Sequence, residues 1–196
     1  MMERTSVVSR NTTETEIQIS LNLDGSGKAD IQTGIGFFDH MLNSFARHGF
    51  FDLTVKVKGD LEVDTHHTIE DTGIVLGQAI KQAVGDKKGI VRYGSQILPM
   101  DESLVLCALD LCGRPYLVYD LDLDREKVGD LETEMVREFF YAVSYAAEMN
   151  LHIRQMAGMN NHHIIEAAFK AFAKALDSAV AAEPRLTGVL STKGSL

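Results

Sequence analysis

The chain is poor in cysteine, in long apolar runs and in positive charge, and each shortage removes a class of protein. Its two cysteines, Cys107 and Cys112, stand in an apolar run and at a Cys-Gly-Arg-Pro turn. Neither position belongs to a spaced framework, so a disulfide scaffold is excluded and reduced core thiols are expected. No apolar stretch approaches the roughly 20 residues needed to span a bilayer, so no membrane partner is expected. With 19 Lys and Arg against 28 Asp and Glu, the net charge is −9 and there is no basic stripe. Nucleic acid is therefore excluded as a main partner. The opening Met1-Met2-Glu3-Arg4-Thr5-Ser6 has neither the basic-then-apolar layout of a signal peptide nor the composition of a transit peptide, and a cytoplasmic location is expected.

What the chain does have is one phrase written twice. His66-His67-Thr68-Ile69-Glu70-Asp71 opens one apolar-periodic run, and His162-His163-Ile164-Ile165-Glu166-Ala167 opens another 96 positions later. On a helix Glu70 lies four residues beyond His66 and three beyond His67, so it can share a face with either ring. Adjacent imidazoles, by contrast, splay by about 100°. Each unit therefore suits metal ligation in two directions. A single copy would more often be polar surface; two copies, each starting a helix in an equivalent half, point to metal.

Around these units the pattern reads in order. Strands are expected from Arg4 to Arg10 and from Glu16 to Leu23, where polar and apolar residues alternate. A helix follows from Phe37 to Gly49, with Phe38, Met41, Leu42 and Phe45 at helical spacing and Gly49 as its stop. Leu53, Val55 and Val57 mark a strand, and the first His-His helix buries Ile69, Leu76, Ile80 and Ala83 and ends at Gly85. The second half repeats this: strands Ser103 to Leu111 and Tyr116 to Leu123, a helix Leu131 to Met149, a strand Leu151 to Met156, and the second His-His helix with Ile165, Phe169, Phe172 and Leu176 on one face. Each half thus reads strand, strand, helix, strand, helix. The halves are residues 1–94 and 95–196, joined near Tyr93 to Gln96 and together forming one compact domain of the α+β class.

The repeat nominates further residues. Laying Asp39-His40-Met41-Leu42 over Arg137-Glu138-Phe139-Phe140, an offset of 98, makes His40 and Glu138 counterparts, while His152 finds none. The candidate ligands are His40, His66, His67, Glu70, Glu138, His162, His163 and Glu166, eight donors for two four-ligand sites. Imidazole and carboxylate without thiolate favour an octahedral Mn²⁺ or Fe²⁺ with open positions, which implies catalysis over scaffolding. A basic set accompanies them: Arg92, Arg114 in a turn, Lys170 one turn beyond Glu166, and the tail Ser191-Thr192-Lys193-Gly194. Lys170 also fits an ordinary i,i+4 pair with Glu166, and Arg114 a solvated turn. In an acidic chain, however, such a set beside metals fits a bound phosphate.

Gly36-Phe37-Phe38-Asp39-His40-Met41-Leu42, Asp64-Thr65-His66-His67-Thr68-Ile69-Glu70-Asp71, Leu151-His152-Ile153-Arg154, the second His-His unit with Phe169-Lys170-Ala171-Phe172, and Ser191-Thr192-Lys193-Gly194 resemble the imidazoleglycerol-phosphate dehydratase family of histidine biosynthesis. The resemblance covers nearly the whole chain and is monofunctional in outline. It implies helices lying between two four-stranded sheets, in the manner of ribosomal protein S5 domain 2, and two Mn²⁺ ions per active site. It also implies a homo-oligomeric 24-mer with octahedral symmetry and active sites between chains.

The same resemblance carries metal-ligand roles onto His40, His66, His67, Glu70, His162, His163 and Glu166. At position 138 many relatives have histidine where this chain has glutamate. Substrate and phosphate contacts carry onto Glu14, His48, Arg92, Arg114, Lys170, Ser191, Thr192 and Lys193, and catalytic roles onto Glu14, Glu70 and Glu166, with Glu14 the candidate for proton transfer. The implied reaction removes water from imidazole glycerol phosphate to give imidazole acetol phosphate through metal-stabilised imidazolate and diazafulvene chemistry. A phosphate-ester metallohydrolase and a metal-storage shell are the rivals; the basic set counts against storage.

Overall fold

The computed structural model describes residues 4–196; Met1 to Glu3, part of the amino-terminal stretch read above, lie outside them. Strands β1 (Thr5–Asn11), β2 (Thr15–Asn22), β3 (Ala29–Gln32) and β4 (Asp52–Gly59) form one sheet in the order β1-β2-β4-β3, with helices α1 (Gly36–Gly49) and α2 (His66–Val84) packed on it. The second half repeats the arrangement. Strands β5 (Tyr93–Met100), β6 (Ser103–Asp110), β7 (Tyr116–Asp120) and β10 (Asn150–Ala157) form a sheet in the order β5-β6-β10-β7 beneath α3 (Glu134–Ala146) and α4 (Asn161–Val180). In each sheet the strand before the first helix pairs parallel with the strand after it, and the other pairs are antiparallel. The alternation expected of β2 holds residue by residue, with Ile17, Ile19 and Leu21 buried between exposed or half-buried neighbours.

Two four-stranded sheets need eight strands, whereas the apolar pattern had marked three in each half. The missing ones are β3 and β5, both at sheet edges. Strand β3 is four residues long and largely exposed, so it carries no alternation to read. Strand β5 occupies the stretch expected to join the halves and contains Gly94 and Pro99, residues that an edge strand tolerates and a central one does not. Each half is therefore strand, strand, strand, helix, strand, helix, a correction to the expected order.

Between β7 and α3 the second half also carries a small hairpin, β8 (Lys127–Val128) with β9 (Leu131–Glu132). Leu131 is buried and in phase with the helix but belongs to this hairpin, so α3 starts three residues later than its periodicity suggests. Its far end is also shorter than expected, and Glu148 just beyond it has φ 53. Gly49 is not the left-handed stop of α1. Phe50 takes that conformation, with φ 58; Gly49 stays helical, and glycine is needed there for space, since a Cβ would stand 2.2 Å from the Phe51 ring.

The two helix layers meet in the middle of the molecule. Phe38 packs against Phe139 with ring centroids 5.3 Å apart, and Phe45 stacks on Phe172 at 5.3 Å. Helix α2 crosses α3 through Gly73 and Gly77; a Cβ at Gly77 would lie 2.6 Å from the Val143 carbonyl oxygen. Among the described residues no helix is long and apolar enough to cross a membrane. Cys107 and Cys112 are free and buried, and burial pushes the Cys107 thiol up. Neither thiol should react with a water-soluble disulfide reagent in the native protein, while both should react on unfolding; a thiol titration with and without guanidinium checks this.

Candidate active site

Helix α4 starts on a side-chain cap: the Asn160 carbonyl oxygen accepts from the amides of His162 and His163 at 3.0 and 3.4 Å. One turn on, Glu166 Oε2 lies 3.1 Å from His162 Nε2. Helix α1 delivers His40, whose Nε2 is 3.5 Å from the same oxygen. Donor atoms of His40, His162 and Glu166 all fall within 4.8 Å of one another, the one such three-donor group among the described residues.

Helix α1 is aimed by the second half. The Asp130 carboxylate, in the turn of the β8–β9 hairpin, accepts from the amides of Gly36 and Phe37 at 2.6 and 2.9 Å. Phe37 then sets its ring edge-on to His162 at 5.0 Å. Glu166 is 7% exposed. Burial alone would raise its carboxyl, but Lys170 Nζ at 2.7 Å and the adjacent imidazoles outweigh it and hold the group below its usual range. The anionic oxygen between two imidazoles suits a divalent cation, and two nitrogens with one oxygen leave coordination positions over.

The other His-His unit is looser. His66 Nε2 is 3.7 Å from Glu70 Oε2, whereas His67 turns away, its Nδ1 2.9 Å from Asp60 Oδ2 and its Nε2 3.9 Å from Glu14 Oε1. His163 turns away likewise, with Nδ1 2.7 Å from Glu102 Oε2. The hydrogen bond to Asp60 raises the His67 pKa and that to Glu102 raises the His163 pKa, while the Glu102 carboxyl is lowered to about 2. Glu138, on α3, is not in the three-donor group; it accepts from Arg137 Nη1 at 2.7 Å.

The basic set divides. Arg92, Arg114, Ser191, Thr192 and Lys193 line one cavity of about 650 Å³. Within it Arg92 is buried and committed, donating Nε and Nη2 to Asp110 and Nη1 to the Leu190 carbonyl, so it fastens the tail in place. Lys170 does not line this cavity but sits on Glu166, and His48 bonds back to the Ser44 carbonyl at 2.8 Å near the far end of α1. Sequence reasoning passed over Asp60, Glu102, Asp130 and Phe37. Glu102 had a signal: the β1–β2 and β5–β6 hairpins repeat at an offset of 88, which makes it the counterpart of Glu14. Asp130 had none, since it lies in a loop and acts on Gly36 and Phe37, distant in sequence; Asp60 is only seven residues before its partner His67, in the loop that leads into α2, and nothing in its spacing marked it out.

Two β-β-β-α-β-α halves closing their helices over a His, His, Glu cluster define a duplicated α+β enzyme. The imidazoleglycerol-phosphate dehydratase family model matches residues 33–176, and the chain belongs to that family. It is 69% identical to imidazoleglycerol-phosphate dehydratase of Lachnoclostridium phytofermentans and 64% identical to that of Acetivibrio thermocellus, in both cases over 100% of each chain. The crystal structure of the dehydratase from Staphylococcus aureus superposes with a TM-score of 0.83 at 42% identity, covering 91% of this chain and 99% of that one. IGPD from Pyrococcus furiosus in complex with (S)-C348 superposes at 0.84 and 34% identity, covering 96% and 100%.

Proposed function

We infer that this chain is a hydro-lyase that eliminates water from imidazole glycerol phosphate to give imidazole acetol phosphate in histidine biosynthesis. The observation that carries the reading onto these residues is the His40, His162 and Glu166 cluster, in a chain so similar along its whole length to named dehydratases. The donor set fits Mn²⁺, and we take two ions per active site as the working number, one held by His40, His162 and Glu166 and the other by His66 and Glu70, with His67, His163 and Glu138 completing the sets. When bound, such ions supply Lewis-acid stabilisation of the electron-rich imidazole ring.

The rest is the work of side chains. Glu14 is our candidate to carry the proton taken from the substrate carbon; it is half-exposed at a hairpin tip beside His67. Arg114 and Lys193, with Ser191 and Thr192, offer donors to the phosphate from the cavity wall. Lys170 keeps Glu166 anionic. His67 and His163 stand outside the three-donor group of the described residues, which fits the reading that the active sites of a cytoplasmic, octahedral 24-mer are completed between neighbouring copies.

Incubation with imidazole glycerol phosphate tests the reading: the keto product supports it, whereas release of inorganic phosphate would favour a metallohydrolase. In steady-state kinetics Arg114→Ala should raise KM at least tenfold with metal content unchanged, since its partner is the phosphate. An unchanged KM returns Arg114 to a solvated turn. Glu138→Ala should lose one of the two ions, and Glu138→His should keep appreciable turnover while shifting preference toward Zn²⁺. An alanine variant that still binds two Mn²⁺ tightly would leave Glu138 as the partner of Arg137 alone.

A further inference from the structure

The second histidine of each pair has its Nδ1 tied to a carboxylate outside its own helix. For His163 this is Glu102, in the turn between β5 and β6, 2.7 Å away. For His67 it is Asp60, at the end of β4, 2.9 Å away. Glu102 is itself held: its other oxygen accepts from the Asn160 amide at 2.9 Å, the Met159 amide at 3.4 Å and the Ser103 hydroxyl at 3.1 Å. A carboxylate fixed by three further donors cannot swing away. Being acceptor-only, it requires the imidazole to carry a proton on Nδ1, which in the neutral ring leaves the lone pair on Nε2. Near that second nitrogen stand Asp101, 3.6 Å from His163 Nε2, and Glu14, 3.9 Å from His67 Nε2.

The first histidines, His66 and His162, face the glutamate of their own helix instead. The two members of each pair therefore differ in how they are held. One is aligned along its own helix, and the other is tied through Nδ1 to a carboxylate outside that helix.

We propose that Glu102 and Asp60 are positioning residues that hold His163 and His67 in the Nδ1–H tautomer, so that Nε2 is the ligating nitrogen of both. This deepens the metal reading above and rests on it. The two halves solve the same problem differently. Glu102 and Glu14 are counterparts in the repeat, yet Glu102 is spent on a clamp, while in the first half Asp60 takes over the clamp and leaves Glu14 unclamped. A second-sphere carboxylate of this kind typically contributes tenfold to a hundredfold in metal affinity.

Two measurements on the full-length protein test the proposal. The first is nitrogen-15 imidazole NMR of the metal-free protein, at a pH where the rings are neutral. Nδ1–H signals are expected for His163 and His67, with His163 alone losing that preference in Glu102→Ala and His67 alone in Asp60→Ala. Nε2–H tautomers in the wild type would overturn the proposal whatever the metal does. The second is Mn²⁺ binding by calorimetry. Glu102→Ala should weaken affinity about tenfold to a hundredfold, Glu102→Gln should recover part of the loss through its carbonyl, and Glu102→Ala should add nothing in a His163→Ala background. A lowered melting temperature with wild-type affinity would make Glu102 merely a cap for α4 and overturn the proposal. If the wild type bound no Mn²⁺ while the tautomers held, the metal reading would fail and the tethering would stand.

Discussion

Glu166→Ala is expected to abolish metal binding at the His40 and His162 cluster and to lower turnover by about 10³-fold. One oxygen of this carboxylate lies within reach of both imidazoles while the other takes Lys170. Its removal takes away the only anionic donor of the cluster and leaves the ammonium of Lys170, a largely buried side chain, facing two imidazoles with nothing to offset it. A cation would then enter a site of net positive character. Glu166→Gln keeps the volume and one acceptor, so it should retain the fold and bind the ion weakly, giving an intermediate loss. Bound metal by mass spectrometry alongside steady-state kinetics separates the cases. An alanine variant with wild-type metal content would show that the cluster is an ordinary buried salt bridge.

Gly94→Val should cost about 3 kcal/mol, enough to lower the melting temperature by about 6–12 °C for a chain of this size. Strand β5 lies directly against α4 at this point: a Cβ on Gly94 would stand 1.8 Å from the Ala175 carbonyl oxygen and 3.1 Å from the Ala179 amide nitrogen. Both are backbone atoms of a buried helix, so no rotamer change relieves the clash and α4 itself must move. Because α4 carries His162, His163 and Glu166, metal affinity should fall with stability. Gly188→Ala is the control, since its Cβ would meet nothing within 4 Å and should leave the melting temperature within about 1 °C. Thermal denaturation followed by circular dichroism reads both, and a Gly94 variant as stable as the control would refute the close packing of β5 on α4.

The chemistry was legible in the chain because it is local. His162 and Glu166 share a helix face at a spacing that any α-helix imposes, and the apolar faces of α1, α2 and α4 follow from period alone, so each of their expected core residues is buried. Duplication nominated Glu138 as the counterpart of His40, and of the two only His40 joins the three-donor group.

Tertiary structure decided what depends on approach between distant segments. It set the two edge strands, whose exposure erases alternation, and the hairpin whose Asp130 aims α1 at α4. It separated Lys170 from the tail cavity, although its i,i+4 spacing to Glu166 left either partner open, and it left Glu138 outside the three-donor group, paired with the adjacent Arg137. Above all it divided each His-His pair. Neighbouring imidazoles leave a helix about 100° apart whatever the sequence. Which of them meets its own glutamate, and which is tied to Asp60 or Glu102, is determined by how the loop entering α2 folds back on it and where the distant β5–β6 turn places a carboxylate.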